Sequence, residues 1–328
     1  MGLIQKTSWA LSLVLTAAAV ASLPLARGEA VTRVPRIGIL SPPASPNEQG
    51  LREGLRELGY IEGKSIAFES REFVGDAEEA KVVATELLRS KIDVIVTSGT
   101  PATRGAMQAT TVLPIVFAGA GDPVYSGLAA SLARPDKNAT GVSVLSTELY
   151  PKRLEYLHWL APRARRIAYL MNSANPTGSL QLKALQKAAP KLGVRVELFN
   201  APDLRQIDGA FQAIRASKAD AIFVGGDATF VKEMAKIAQG VRGIRVPAIF
   251  PYREYCEQGA LMCYGPSMRE VGRRTARYVD EILKGAAPAN LPIEQISTYE
   301  LIFNLRVARE LGIEPPHDLL LRADEVIR

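Results

Sequence analysis

Residues 59–65, Gly-Tyr-Ile-Glu-Gly-Lys-Ser, come within one position of the phosphate-cradling loop Gly-x-x-x-x-Gly-Lys-Ser/Thr. Such a loop lies between a strand and a helix, because the helix N-terminus supplies the N–H groups that hold the phosphate. Here Gly59 ends the helical run EQGLREGLREL, a role glycine fills by adopting positive φ, and Lys64 and Ser65 open the strand-like KSIAFESR. The order is the reverse of what phosphate binding requires. The segment reads as a turn.

No other group of residues points to catalysis. The two histidines, His158 and His317, have no Cys, Asp or Glu at metal-ligand spacing. There is no Gly-x-Ser-x-Gly elbow and no Gly-x-Gly-x-x-Gly after the first strand-like run, so no catalytic residue, metal or cofactor is assigned. Cys256 and Cys263 are seven apart. In an oxidising compartment they could pair and staple a turn, or they could be two separately buried thiols.

Binding chemistry is better represented. Small hydroxyls, glycine and aspartate gather in SPPASPN (41–47), SGTPAT (98–103), AGAGDP (118–123), NSANPTGS (172–179), GGDATF (225–230) and PYREY (251–255). In SGTPAT, Thr100 is placed as a helix N-cap with Pro101 at the first helical position. The N–H groups of Ala102 and Thr103, with the hydroxyls of Ser98, Thr100 or Thr103, would then form a neutral cup for a carboxylate. The alternative is ordinary capping without a ligand. Asp227, aligned with Thr100 in the second half, could accept from a ligand ammonium or simply cap the helix after it. Ser41, Asp122, Asn172 and Tyr252 complete the candidate ligand-binding set. Asp122 before Pro123 also suits a turn, and Tyr252 also suits packing between lobes.

These loops follow strand-like runs that alternate with helical ones from residue 35 onward, the pattern of parallel strands with crossover helices. The chain is written twice. KIDVIVTSGTPATRGAM (91–107) aligns with KADAIFVGGDATFVKEM (218–234) at an offset of 127. PRIGIL (35–40) answers RRIAYL (165–170), and LPIVFAG answers VPAIFPY. Two doubly wound α/β lobes with a cleft between them account for this, and ligands in such sheets sit beyond the carboxyl ends of the strands.

The first 30 residues read as a secretory signal peptide: Lys6, an apolar stretch from Trp9 to Leu23, then small residues, with no cysteine for a lipid anchor. The expected product is a periplasmic protein. Lys6, Arg27 and Glu29 leave with the signal, taking the net charge from +6 to +5. The remaining basic residues are spread along helices rather than gathered in a stripe with aromatics, which argues against nucleic acid as a partner.

GLREGLRELGYIEGKSIAFESR, then VVATELLRSKIDVIVTSGTPATRGAMQATTVLPIVFAGAGDPVYSGLAASLARPDKNATGVS, resembles the ABC-transporter substrate-binding proteins of the tryptophan/tyrosine type. GALMCYGPSMREVGRRTARYVDEILKG and YELIFNLRVARELGIEPPHDLLLRADEVIR fit the same family. The resemblance implies a periplasmic-binding-protein fold of type I with three hinge crossings, near 142–145, 252–260 and 293–302. Lobe 1 would then span 31–145 plus about 260–293, and lobe 2 146–259 plus about 300–328. It also implies capture of an aromatic or branched amino acid, or a related carboxylate, by cleft closure. The partners would be inner-membrane permease subunits with a separate cytoplasmic ATPase. A ligand sensor signalling to a membrane receptor is the alternative role.

Overall fold

The computed structural model describes residues 33–328 apart from 74 and 145. The expected signal peptide lies outside the described residues. Among them, no helix is long and apolar enough to cross a membrane.

Five strands come first: β1 (Arg36–Ser41), β2 (Ala67–Glu72), β3 (Val94–Ser98), β4 (Ile115–Gly121) and β5 (Ala139–Val144). Then follow β6 (Arg166–Met171), β7 (Arg195–Asn200), β8 (Ala221–Val224), β9 (Ala248–Ile249) and β10 (Met262–Gly265). Three short strands close the chain: β11 (Glu294–Gln295), β12 (Glu300–Asn304) and β13 (Glu325–Ile327). One sheet has the order β11-β5-β4-β3-β1-β2, parallel throughout. The other runs β7-β6-β8-β9, also parallel, and continues through a Phe250–Cys263 bridge into β10-β12-β13.

Alternation along each strand gives both sheets two buried faces, as parallel sheets require. In the first lobe Ile37, Ile39, Val94, Val96 and Val116 pack under helices Pro46–Glu57 and Met268–Leu283. Leu40, Ile95, Ile115 and Phe117 pack on the other face, under Ala77–Leu88 and Gly99–Ala109. In the second lobe Ile167, Tyr169 and Phe223 face helix Ser146–Leu160, while Leu170, Ile222 and Val224 face Ile207–Ser217 and Met234–Arg242. Helices Pro46–Glu57 and Met268–Leu283 touch backbone to backbone: a Cβ on Gly50 would lie 1.8 Å from the Arg269 carbonyl oxygen. The returning helix is thereby welded to the first lobe.

The sequence repeat has a structural cause. Lys91 and Lys218 both turn with positive φ, +51° and +53°. Asp93 Oδ2 accepts the Arg36 N–H at 2.7 Å, and Asp220 Oδ2 accepts the Arg166 N–H at 2.8 Å. Each aspartate thus pins the first residue of the neighbouring strand. The phosphate-loop-like segment is a turn: Gly59 (φ +89°) follows helix Pro46–Glu57, and the next strand is β2.

The chain passes between the lobes after β5, between β10 and helix Met268–Leu283, and between β11 and β12. The second passage lies later than the 252–260 expected for it. Residues 262–265, expected with the first lobe, pair with β12 in the second. A disulfide between Cys256 and Cys263 holds them there, tying β10 to helix Arg253–Glu257.

Candidate functional site

Both repeats deliver a loop to the same place. Helix Gly99–Ala109 begins directly after β3, and Asp227 caps the short turn of helix Ala228–Val231 after β8. The two ends meet across a cleft lined by Pro42, Ser45, Asn47, Ser98, Thr100, Gly121, Asn175, Gln181, Asp227 and Tyr252, among others. Including the open solvent at its mouth, the cleft encloses about 530 Å³. The lobes are closed on each other. A Cβ on Gly99, whose φ of +82° already disfavours a side chain, would stand 2.8 Å from the Ala228 methyl. The Tyr125 and Ser179 hydroxyls are 3.3 Å apart.

On the first-lobe side the helix starts two residues earlier than Thr-Pro suggests, with Ser98 as N-cap. The N–H groups left without intrahelical partners are therefore those of Gly99 and Thr100, since Pro101 has none. Ala102 and Thr103, expected to offer theirs, are one turn too deep. Ala102 is fully buried in the core. The Thr103 hydroxyl donates to the Gly99 carbonyl at 2.7 Å and lies 2.9 Å from Thr97 Oγ1. Thr100 lines the cleft, and its Oγ1 accepts the Gly121 N–H at 3.0 Å, fixing β4 against the helix start. Ser98 lines the cleft as well.

On the second-lobe side Asp227 is 3 % exposed and is the only charged side chain among the described residues of the cleft lining. Its Oδ2 accepts from Asn175 Nδ2 at 2.6 Å. Its Oδ1 accepts from the Thr229 N–H at 2.8 Å and Asn172 Nδ2 at 3.2 Å. Burial pushes its carboxyl above the ordinary aspartate range, against the pull of these three groups and the Thr229 hydroxyl. Asp227 thus both caps and lines. Asn172 reaches Asp227 from behind and does not line the cleft.

Two further candidates lie elsewhere. The Ser41 hydroxyl donates to Glu48 Oε2 at 2.9 Å, outside the cleft, because the last residue of β1 meets the first turn of helix Pro46–Glu57 instead of the cleft lining. Asp122 turns with φ +42° and accepts from the Thr147 hydroxyl where the chain passes to the second lobe. It is a turn residue. Tyr252 lines the cleft and touches the cores of both lobes; burial pushes its hydroxyl pKa up.

Sequence reasoning named the loops but not all their working residues. Asn175, Gln181, Ser45 and Asn47 line the cleft and were not singled out. Ser45-Pro46 carries the same cap-then-proline signal as Thr100-Pro101 and could have found its loop. Gln181 had no local signal. Its Oε1 accepts from the Tyr150 hydroxyl at 2.9 Å, and Tyr150 Oη in turn accepts the Gly226 N–H at 3.0 Å. Arg153, 2 % exposed, stacks beneath with its guanidinium 4.3 Å from the Tyr150 ring centroid. This buried layer holds the Gly226-Asp227 loop in place.

The arrangement opposes a buried acceptor carboxylate to the positive end of a helix across a closed cleft. That is binding chemistry for a small molecule bearing one cationic and one anionic group.

Similar proteins carry the same framework. A tyrosine-binding protein of Clostridioides difficile (strain R20291) is 25% identical over 268 residues, 81% of this chain and 76% of the relative. A conserved domain protein from Vibrio cholerae superposes with a TM-score of 0.83 at 28% identity, covering 90% of this chain and all of that one. The ABC domain from Streptococcus pneumoniae in complex with L-Trp gives 0.80 at 29% identity, covering 89% and 99%. The fold is that of type I periplasmic binding proteins, with two α/β lobes. The profile of the ABC transporter substrate binding proteins matches residues 37–327, and the chain belongs to that family.

Proposed function

We propose that this protein captures a small α-amino acid, with an aromatic or branched side chain, by closing its two lobes around it. The closed form would hand the solute to the permease of an ABC importer outside the cytoplasm, with hydrolysis left to a separate ATPase. The observation that carries the reading is Asp227 facing the start of helix Gly99–Ala109 across the cleft. Asp227 takes the ammonium; the Gly99 and Thr100 N–H groups, with the Ser98 hydroxyl, take the carboxylate. A tyrosine-binding relative and a relative with L-Trp bound support the solute class. Binding selects the closed state, and only that state presents both lobes together to a membrane partner.

A thermal-shift screen tests this, on protein unfolded and refolded to strip carried-over ligand. The panel holds amino acids, their keto and aryl-acid analogues, sugars and nucleosides. A ligand at 100 times its dissociation constant stabilises the fold by about 2.7 kcal/mol. Aromatic or branched amino acids are expected to raise the melting temperature. A response confined to sugars or nucleosides would sink the assignment.

A further inference from the structure

One cleft residue has a bonding pattern that the carboxylate and ammonium contacts do not use. Asn47 is 5 % exposed and lines the cleft from the first turn of helix Pro46–Glu57. Its Nδ2 donates to the Ala118 carbonyl at 3.2 Å, which fixes which end of the amide is oxygen. Its Oδ1 is buried and has no hydrogen-bond partner among the described residues. Groups of this kind are rare in folded proteins because each costs free energy until it is satisfied.

Apolar groups lie beside the carbonyl that Asn47 bonds. Ala118 precedes Gly119, and a Cβ on Gly119 would meet the Met268 methyl at 2.7 Å and the Val144 methyl at 3.7 Å. Gly119, Val144 and Met268 all line the cleft. Asn47 Oδ1 is therefore an unpaired acceptor near apolar lining residues of the cleft, on the opposite lobe from Asp227. Apolar walls with one acceptor suit a side chain that is hydrocarbon apart from a single N–H or O–H. Methionine sulfur and a ring edge also make favourable contact.

We propose that Asn47 is a specificity-determining residue, whose Oδ1 accepts a hydrogen bond from a donor on the ligand's side chain. The ligand class narrows to amino acids ending in a phenol, an indole or a like donor, over those ending in hydrocarbon. This rests on the amino-acid reading above. A site built around a buried acceptor rejects the analogue lacking the donor, because that analogue leaves the acceptor unpaired.

The test is calorimetric titration of the refolded protein with two ligand pairs: tyrosine against phenylalanine, and tryptophan against benzothienylalanine, in which sulfur replaces the indole N–H. The donor-bearing member of at least one pair is expected to bind about tenfold or more tightly than its partner. In Asn47→Ala that gap is expected to close to about threefold or less, with the donor-free ligands little changed. Equal binding within both pairs, or a gap that persists in Asn47→Ala, would overturn the role of Asn47 while leaving the amino-acid reading intact. Binding of none of the four would overturn the role of Asn47, and the amino-acid reading would fall with it if leucine, isoleucine and valine also failed to bind. The ligand pairs need no substitution, so an Asn47→Ala chain that failed to fold would still leave the wild-type comparison decisive.

Discussion

Gly99 and Ala228 meet across the cleft so closely that a methyl on Gly99 would lie 2.8 Å from the Ala228 Cβ. They are the first residues of two helices at equivalent places in the two lobes, two residues apart in the repeat register. Any larger side chain at this contact props the lobes open.

Ala228→Leu is therefore expected to lower ligand affinity about tenfold or more, since the closed state is reached only by displacing the Leu side chain. The ligand-free fold, whose lobes have their own cores, is expected to melt within about 1 °C of wild type. Small-angle scattering would show the wild type compacting with ligand and the variant not. Equal compaction in both would show that this contact does not govern closure.

Asp227 predicts a pH dependence with a definite sign. Its folded-state pKa is raised by burial. Its contribution to the stability of the free protein is fully present below the unfolded value near 4 and is lost as pH rises through the raised folded value. Asp227→Asn is expected to be more stable than wild type at neutral pH without ligand, and the difference is expected to vanish on acidification. Binding runs the other way. An ammonium needs the ionised carboxylate, so wild-type affinity is expected to fall as pH drops through the raised pKa. In Asp227→Asn the affinity would be weak and flat. Calorimetry across that range checks both signs.

Tyr150 connects the hidden layer to the cleft. Tyr150→Phe leaves the buried Gly226 N–H without its 3.0 Å acceptor and removes the donor to Gln181. A loss of about 1–3 kcal/mol of stability is expected. Affinity is expected to fall as well, because Asp227 follows Gly226 directly. Unchanged affinity alongside lost stability would confine Tyr150 to the core.

The Cys256–Cys263 disulfide closes a short loop beside the second passage between the lobes. Replacing both by alanine is expected to cost about 2–3 kcal/mol on chain-entropy grounds. Solute affinity is expected to stay within about threefold, as neither cysteine lines the cleft. A large loss of affinity with little loss of stability would make the disulfide part of the hinge.

The lobe architecture was legible because its signals are local. Lys91-x-Asp93 and Lys218-x-Asp220 each encode a left-handed turn and an aspartate that pins a strand, so the repeat survives in sequence. The same register paired Thr100 with Asp227, and both line the cleft. The helix start was misplaced by two residues because Gly99, at φ +82°, begins it ahead of the Thr-Pro signal. That shift moved the expected N–H donors to Ala102 and Thr103, inside the lobe. The second passage was misplaced because β10 pairs with β12, about forty residues downstream, and nothing local announces that pairing. Asn47 and Gln181 owe their roles to partners on other elements, Ala118 and Tyr150, which only the folded chain brings near.

The most direct measurement is a crystal structure of the refolded protein with the amino acid that stabilises it most. The account predicts the ligand carboxylate within hydrogen-bond reach of the Gly99 and Thr100 N–H groups, and the ammonium on Asp227. A ligand bound with no atom in contact with Asp227, or with its carboxylate held elsewhere, would contradict it.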